Sequence, residues 1–209
     1  MRLIKYTHAC VRLQQDGRTL LLDPGVYAER EAYQGVSTVL ITHEHFDHVN
    51  VDLLPGILEE NPALKIYTSG AVAAQLASLG DAVVTVAVGD SFTVDGFHID
   101  VVGGMHAEIY DGLPGCANLG YIVDGEIYHP GDALHVPAIS VSTLLLPVSA
   151  PWLKLAEMLD FVRAVAPRRA FPIHDALLSE FGEQIVDNWA RMKGQTDYAR
   201  IPIGSSVEL

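Results

Sequence analysis

The chain has little cysteine, few cations and no long apolar run, and each shortage narrows what it can be. Two cysteines, Cys10 and Cys116, occur in 209 residues, which argues against a disulfide framework and suits a reduced, cytoplasmic chain with inert buried thiols. No apolar stretch approaches the ~20 residues needed to cross a bilayer, and residues 1–20 contain no apolar core of signal-peptide type. Thirteen Lys and Arg stand against 26 Asp and Glu, a formal charge of −13. That balance disfavours nucleic acid, whose phosphates demand a cationic footprint. No internal linker, short repeat or low-complexity segment interrupts the chain. Its 49% hydrophobic and 19% charged residues read as one globular domain over residues 1–209, with a core of ordinary size. The sequence leaves the oligomeric state open.

What is present in excess, locally, is histidine. Of nine His in the chain, three fall within the six residues His43-Glu44-His45-Phe46-Asp47-His48. They follow the apolar run Thr38-Val39-Leu40-Ile41, which reads as a buried strand. Imidazole and carboxylate donors suit zinc, iron and manganese, and no thiolate is near enough in sequence to make a closed structural zinc site. A solvated turn that happens to be rich in His is the bland alternative. The buried strand before it disfavours that, because unpaired buried polar groups are costly.

Six residues offer three or four ligands at most, so the rest must come from elsewhere. Single candidates stand just after apolar runs: His106 after residues 99–105, Asp132 in His129-Pro130-Gly131-Asp132, and His174 after Ala170-Phe171-Pro172-Ile173. A lone His at a strand end is more often a satisfied structural residue than a ligand. The shared context of strand end followed by turn raises all three, since active groups collect where strands of layered α/β folds open into loops.

The His-x-His-x-Asp-His block, His106, the Gly131-Asp132 pair and the Pro172-Ile173-His174 end resemble the ordered signature of the metallo-β-lactamase superfamily, matched along nearly the whole chain. The resemblance implies an α/β fold, a four-layer αβ/βα sandwich of two mixed β-sheets flanked by helices, with two metals at one edge. Carried over by position, His43, His45 and His106 would hold the first metal, Asp47, His48 and His174 the second, and Asp132 would bridge them. The ions would be divalent, with Zn2+ first and Mn2+ or Fe as alternatives.

Branches of the superfamily differ in ways this sequence can be tested against. Class B β-lactamases usually place Cys where this chain has Asp132, and hydroxyacylglutathione hydrolases continue into a helical substrate domain after the last ligand. What remains resembles the compact hydrolases related to ascorbate-6-phosphate lactonase, and residues 1–10 and Leu22-Asp23-Pro24-Gly25 are similar to that group. The implied activity is hydrolysis of a small-molecule ester, lactone or phosphoester. Two metals ~3.5–4 Å apart would lower the pKa of a bridging water and polarise the electrophile. Asp47 would be a ligand that also orients or relays a proton. Short loops near Tyr110 and Trp152 suggest an open mouth suited to a small polar substrate, with weak action on β-lactams and RNA. Two other readings stand beside this one: a di-iron redox protein on the same fold, and a non-catalytic metal-binding module.

Other residues are read more loosely. Residues 107–117 are too rich in Gly and Pro for a helix and would flank the metals, with Tyr110 as an oxyanion donor or, equally, a packed loop residue. Lys154 would meet an anionic substrate or be a solvated lysine of a first helical turn. Asp23 and Asp175 are candidate acceptors for ligand imidazoles, with His8 a further one. His98 and His135 read as structural or solvent-facing. Strands are expected at residues 2–6, 10–14, 19–22, 38–41, 65–68, 83–86, 91–94, 97–102, 118–123, 126–129, 143–146 and 169–171. Helices are expected at 50–61, 69–80, 152–165 and 178–193.

Overall fold

The computed structural model describes residues 1–113 and 115–209; Pro114, within the expected substrate loop, lies outside the described residues. The first sheet is built from β1 (Arg2–Lys5), β2 (Val11–Gln15), β3 (Arg18–Leu22), β4 (Thr38–Ile41), β5 (Lys65–Thr68), β6 (Val83–Thr85) and β14 (Ser206–Glu208), in the order β14-β1-β2-β3-β4-β5-β6. The second comprises β7 (Ser91–Val94), β8 (Phe97–Met105), β9 (Ala117–Val123), β10 (Ile127–His129), β11 (Thr143–Pro147), β12 (Arg169–Ile173) and β13 (Asp197–Tyr198), in the order β13-β12-β11-β10-β9-β8-β7. Each sheet has an antiparallel part and a parallel part, which meet where β3 pairs parallel with β4 and β10 with β11.

Strand periodicity produces the layering. On β3, Leu20 and Leu22 point into the core between the sheets with Leu13, Leu40, Phe97, Tyr121 and Leu145, whereas Leu21 faces the opposite way. On β4, Leu40 joins that central core, while Val39 and Ile41 join Ile57, Ile66 and Val72 beneath α1 (Leu54–Glu60) and α2 (Gly70–Gln75). In the second sheet, Leu145 and Phe171 face inward. Leu144, Leu146 and Ala170 face α3 (Leu155–Val165) and α4 (Glu180–Lys193) through Met158, Phe161, Val162, Val186 and Ala190. Three apolar cores between helix, sheet, sheet and helix make the expected four-layer sandwich. Strands buried on both faces read as continuous apolar runs, which is why Thr38–Ile41 is so legible.

The boundaries differ from expectation in instructive places. α1 begins at Leu54, after a turn over residues 51–53 in which Asn50 Oδ1 accepts the Leu53 amide at 3.1 Å. The helix expected over 69–80 divides into α2 and a 3-10 segment, Ala77–Ala82, around Gly80 at φ 54°. The helix expected from 152 starts at Leu155, where the Lys154 amide donates to Glu157 Oε2 at 3.0 Å. β8 runs on through Gly103-Gly104 to Met105, held by pairing with β9. β13 and β14, with two and three residues, are too short to carry a period in sequence.

Candidate metal centre

β4 delivers the chain to the His43–His48 loop, and a buried carboxylate next door fixes that loop. Asp23 ends β3, the parallel neighbour of β4, in a left-handed backbone conformation at φ 45°. Its Oδ1 accepts the Thr42 amide at 2.8 Å, and its Oδ2 accepts Thr42 Oγ1 at 2.7 Å and His48 Nδ1 at 2.6 Å. Two residues on, Gly25 lies so close to the loop that a Cβ there would stand 2.0 Å from the Asp47 carbonyl oxygen. Only a residue without a side chain permits that approach.

The remaining candidates come from three strand ends of the second sheet. His106 follows β8, its Nδ1 donating to the Ala107 carbonyl. Asp132 follows β10, its amide donating to Asn118 Oδ1 at 2.9 Å, while Asn118 Nδ2 donates to the Pro130 carbonyl at 2.8 Å. Gly131 adopts φ 61°, and a Cβ there would meet Asn118 Oδ1 at 2.3 Å. His174 follows β12 at φ 58°, with Nδ1 donating to the Ser149 carbonyl.

All seven residues named from the sequence meet where the sheets adjoin. One ligand atom from each of His43, His45 and His106 lies within 4.8 Å of the others; Asp47, His48 and His174 form a second such group, joined by His8, and Asp132 forms a third with His43 and His48. His43 Nε2 and His45 Nδ1 are 3.1 Å apart, His48 Nε2 is 3.0 Å from Asp132 Oδ1, and His174 Nε2 is 3.0 Å from Asp132 Oδ2. Proximity here is not hydrogen bonding. Among the described residues, the buried polar side-chain atoms lacking a partner are Arg12 Nε and four atoms of this cluster: His48 Nε2, His106 Nε2, His174 Nε2 and Asp132 Oδ1. Orphaned buried groups of this kind are rare, and four aimed at one space fit a site for divalent cations.

The ring tautomers agree. His48, His106 and His174 each donate Nδ1–H to an oxygen acceptor, which makes Nε2 the nitrogen available to a cation, the second-sphere arrangement that orients metal-binding imidazoles. Thr42 Oγ1 gives its proton to Asp23 and accepts from His43 Nδ1 at 3.0 Å, which leaves His43 Nε2 bare as well. His8 is the opposite case. Its Nδ1 accepts the Ala176 amide at 3.2 Å, so the ring proton is on Nε2, which donates to Asp47 Oδ2 at 3.1 Å. His8 therefore holds a carboxylate; it does not present a free nitrogen.

Charge follows burial and pairing. Desolvation, with neighbouring imidazoles, lowers the pKa of His43 and His45 and keeps them neutral. Burial penalises the ionised forms of Asp47 and Asp132 too, but the His8 N–H at Asp47 and the positive charge favoured on His48 and His174 outweigh it and hold both well below the usual carboxylate range. The same carboxylates overcome desolvation at His174, which is pushed up to about 9. Neutral imidazoles at His43 and His45 beside ionised carboxylates are donor states that cations require, whereas His48 and His174, which their carboxylate partners favour in protonated form, would each give up a proton to a cation.

The looser sequence readings divide. Asp23 accepts from the His48 imidazole, a contact of the expected kind. Asp175 does not: it pairs with Lys5 Nζ at 3.3 Å and with Arg200, because the left-handed turn at His174 sends its neighbour's side chain away from the rings. Tyr110 is 72% exposed, and Ile109, not Tyr110, lines the cavity at the cluster. Lys154 is solvated and pairs with Glu157 at 3.3 Å. Trp152 comes closer than expected, its Nε1 donating to Asp132 Oδ2 at 3.0 Å. His129, treated only as context in the sequence, is a buried strut: Nε2 donates to the Ala9 carbonyl at 3.0 Å and Nδ1 accepts the Gly131 amide at 3.1 Å. Cys116 Sγ lies 4.0 Å from His45 Nε2 and its thiol pKa is pushed up to about 11 by burial, so it is protonated at neutral pH and a poor ligand.

Comparison with known proteins points the same way. The chain is 38% identical over 213 residues to protein Rv0786c of Mycobacterium tuberculosis, covering 99% of each chain. It is 23% identical over 189 residues to the UPF0173 metal-dependent hydrolase MJ1163 of Methanocaldococcus jannaschii, covering 81% of this chain and 82% of that one. The fold matches the structure of Igni18, a metallo hydrolase from Ignicoccus hospitalis, with a TM-score of 0.78 at 19% identity over 99% and 97% of the two chains. The sequence profile described as Beta-lactamase superfamily domain matches residues 2–174, a span that takes in the whole cluster from His43 to His174, and the chain belongs to that family.

Proposed function

We propose that this chain is a dinuclear metal-dependent hydrolase acting on a small-molecule ester, lactone or phosphoester. His43, His45 and His106 would hold one divalent ion, Asp47, His48 and His174 a second, and Asp132 would serve both. The observation that carries this reading is the set of four partnerless buried atoms converging on one space. All-nitrogen-and-oxygen donors favour Zn2+, with Mn2+ or Fe as substitutes. When bound, such ions supply Lewis acidity and lower the pKa of a coordinated water.

The protein's own groups supply the rest. The His8 N–H fixes Asp47 through Oδ2, leaving the other carboxylate oxygen to orient water and take its proton. Trp152 Nε1 fixes Asp132, and Asp23 keeps His48 and Thr42 in register. The likeness to ascorbate-6-phosphate lactonase rests on the opening strands and Leu22-Asp23-Pro24-Gly25. Nothing in the site favours the di-iron redox alternative over hydrolysis.

The test is metal content followed by turnover. Protein loaded with Zn2+ or Mn2+ should bind two ions per chain and hydrolyse at least one of a panel of lactones, thioesters, carboxylic esters and phosphodiesters. A doubly loaded, folded protein inert toward the whole panel would remove hydrolysis.

A further inference from the structure

The cavity in front of the cluster, about 310 Å³, changes character within a few ångströms of the ligands. Its outer wall is formed by Tyr27, Phe46, Ile109, Pro151, Trp152 and Leu177, and no Lys or Arg is among its described lining residues. These six come from five different loops, following β3, β4, β8, β11 and β12. Phe46 and Leu177 are 61% and 58% exposed. Isolated exposed apolar side chains need no explanation, but a contiguous set rimming a polar centre marks a binding surface. The wall is also ordered. The Trp152 indole is tethered to Asp132, with its ring 5.9 Å from His106 and 6.3 Å from His174, and Tyr27 stands 5.5 Å from His8 and 6.0 Å from Phe46.

Lys5, Arg200 and Lys154 are committed elsewhere. Lys5 Nζ is buried against the Tyr6 and His8 carbonyls and Asp175. Arg200 binds Asp175 and Asp187, and Lys154 pairs with Glu157 in solvent. An anionic arm would therefore meet apolar side chains and the carboxylates Asp47 and Asp132, with no protein cation to receive it.

We propose that the site takes a neutral ester or lactone whose non-reacting arm is apolar, a medium-length alkyl or aryl group packed on Trp152, Phe46, Ile109 and Leu177. This deepens the hydrolase reading and rests on it for the reaction. Water oxygen forms the new bond to the acyl carbon, the acyl–oxygen bond to the leaving alcohol breaks, and the proton lost by water ends on that alcohol. The small polar substrate suggested by short loops, and the phosphoester option, give way because the mouth is apolar and lacks a cation.

Two series test it on the metal-loaded protein. kcat/KM is measured for acetyl, butyryl, hexanoyl and octanoyl esters of one phenol, with a phenyl phosphate for contrast. Binding of the matching alkyl hydroxamates is measured by calorimetry, which needs no turnover. Both should rise with chain length, by about fourfold for each methylene fully buried, and Leu177→Arg and Ile109→Arg should flatten both. Hydrolysis of the acetyl ester with flat series would overturn the apolar arm while hydrolysis stands, as would a phosphate preferred over the octanoyl ester. Chain-length dependence that survives both arginine substitutions would also overturn it. Hydroxamate affinity that climbs with chain length while no ester is cleaved would support the arm and sink the hydrolase reading.

Discussion

The two sheets contribute to the centre by opposite strategies. The first gives four candidate ligands from one six-residue loop, held as a unit by Asp23 and by the close approach of Gly25. The second gives three from three separate strand ends, each fixed by its own partner: Ala107 O for His106, Asn118 for Asp132, Ser149 O for His174. In the first sheet a single clamp governs several ligands. In the second, each ligand stands or falls alone, except for Asp132, which touches both groups.

Substitutions can break or sharpen that contrast. The largest effect is expected for Asp132→Ala, which removes the shared carboxylate: metal content should fall from two ions toward none and turnover should vanish, while His106→Ala should spare the second ion. Metal analysis after dialysis reads this, and retention of two ions by Asp132→Ala would show that the groups are independent.

Next is Asp23→Ala, which leaves the Thr42 amide and the His48 ring N–H buried without an acceptor. Stranded buried donors cost about 1–3 kcal/mol each, so unfolding free energy should drop by about 3 kcal/mol and affinity at both ions should fall. Asn118→Ala, its counterpart in the second sheet, should weaken the Asp132 turn alone. Equal and local effects of the two, by denaturant unfolding and calorimetric metal titration, would erase the distinction between a shared and a private clamp.

A smaller change is expected for His8→Ala, which frees Asp47 Oδ2. Losses of about 10–100-fold are usual for a partner that orients a ligand, and here they should fall on the second ion, leaving the first unchanged; Asp47→Asn should lower turnover more than stability. The smallest effect belongs to Cys116→Ser. With the thiol protonated and 4.0 Å from His45, stability should shift by less than about 0.5 kcal/mol and metal stoichiometry should not move.

The same contrast explains what was legible in the sequence. Four donors after an apolar strand form a local density signal, so the first sheet's share is readable without knowing the fold. His106, Asp132 and His174 carry no local signal beyond strand end and turn, and became candidates through their order along the chain. The role of His8 is hidden in the sequence because it depends on a left-handed turn, φ 66°, that places its ring against Asp47, and neither conformation nor contact shows in a Thr-His-Ala tripeptide. Asp175 misleads for the matching reason: adjacency to His174 in sequence says nothing about which way a left-handed residue turns its neighbour. Among the elements, runs with strong alternation were readable. Gly103-Gly104 concealed the end of β8, because pairing with β9 sustains a strand that composition alone would stop.

The seam location of the centre has a topological consequence. Ions gripped by His43 at one end and His174 at the other would cross-link the chain over most of its length, closing a loop as a disulfide would. For a disulfide closing a loop of ~100 residues that entropic contribution is put at about 4.7 kcal/mol. A protein with two cysteines, one fully buried and neither bonded, would thereby obtain a staple whose integrity followed the metal supply of its surroundings instead of their redox state.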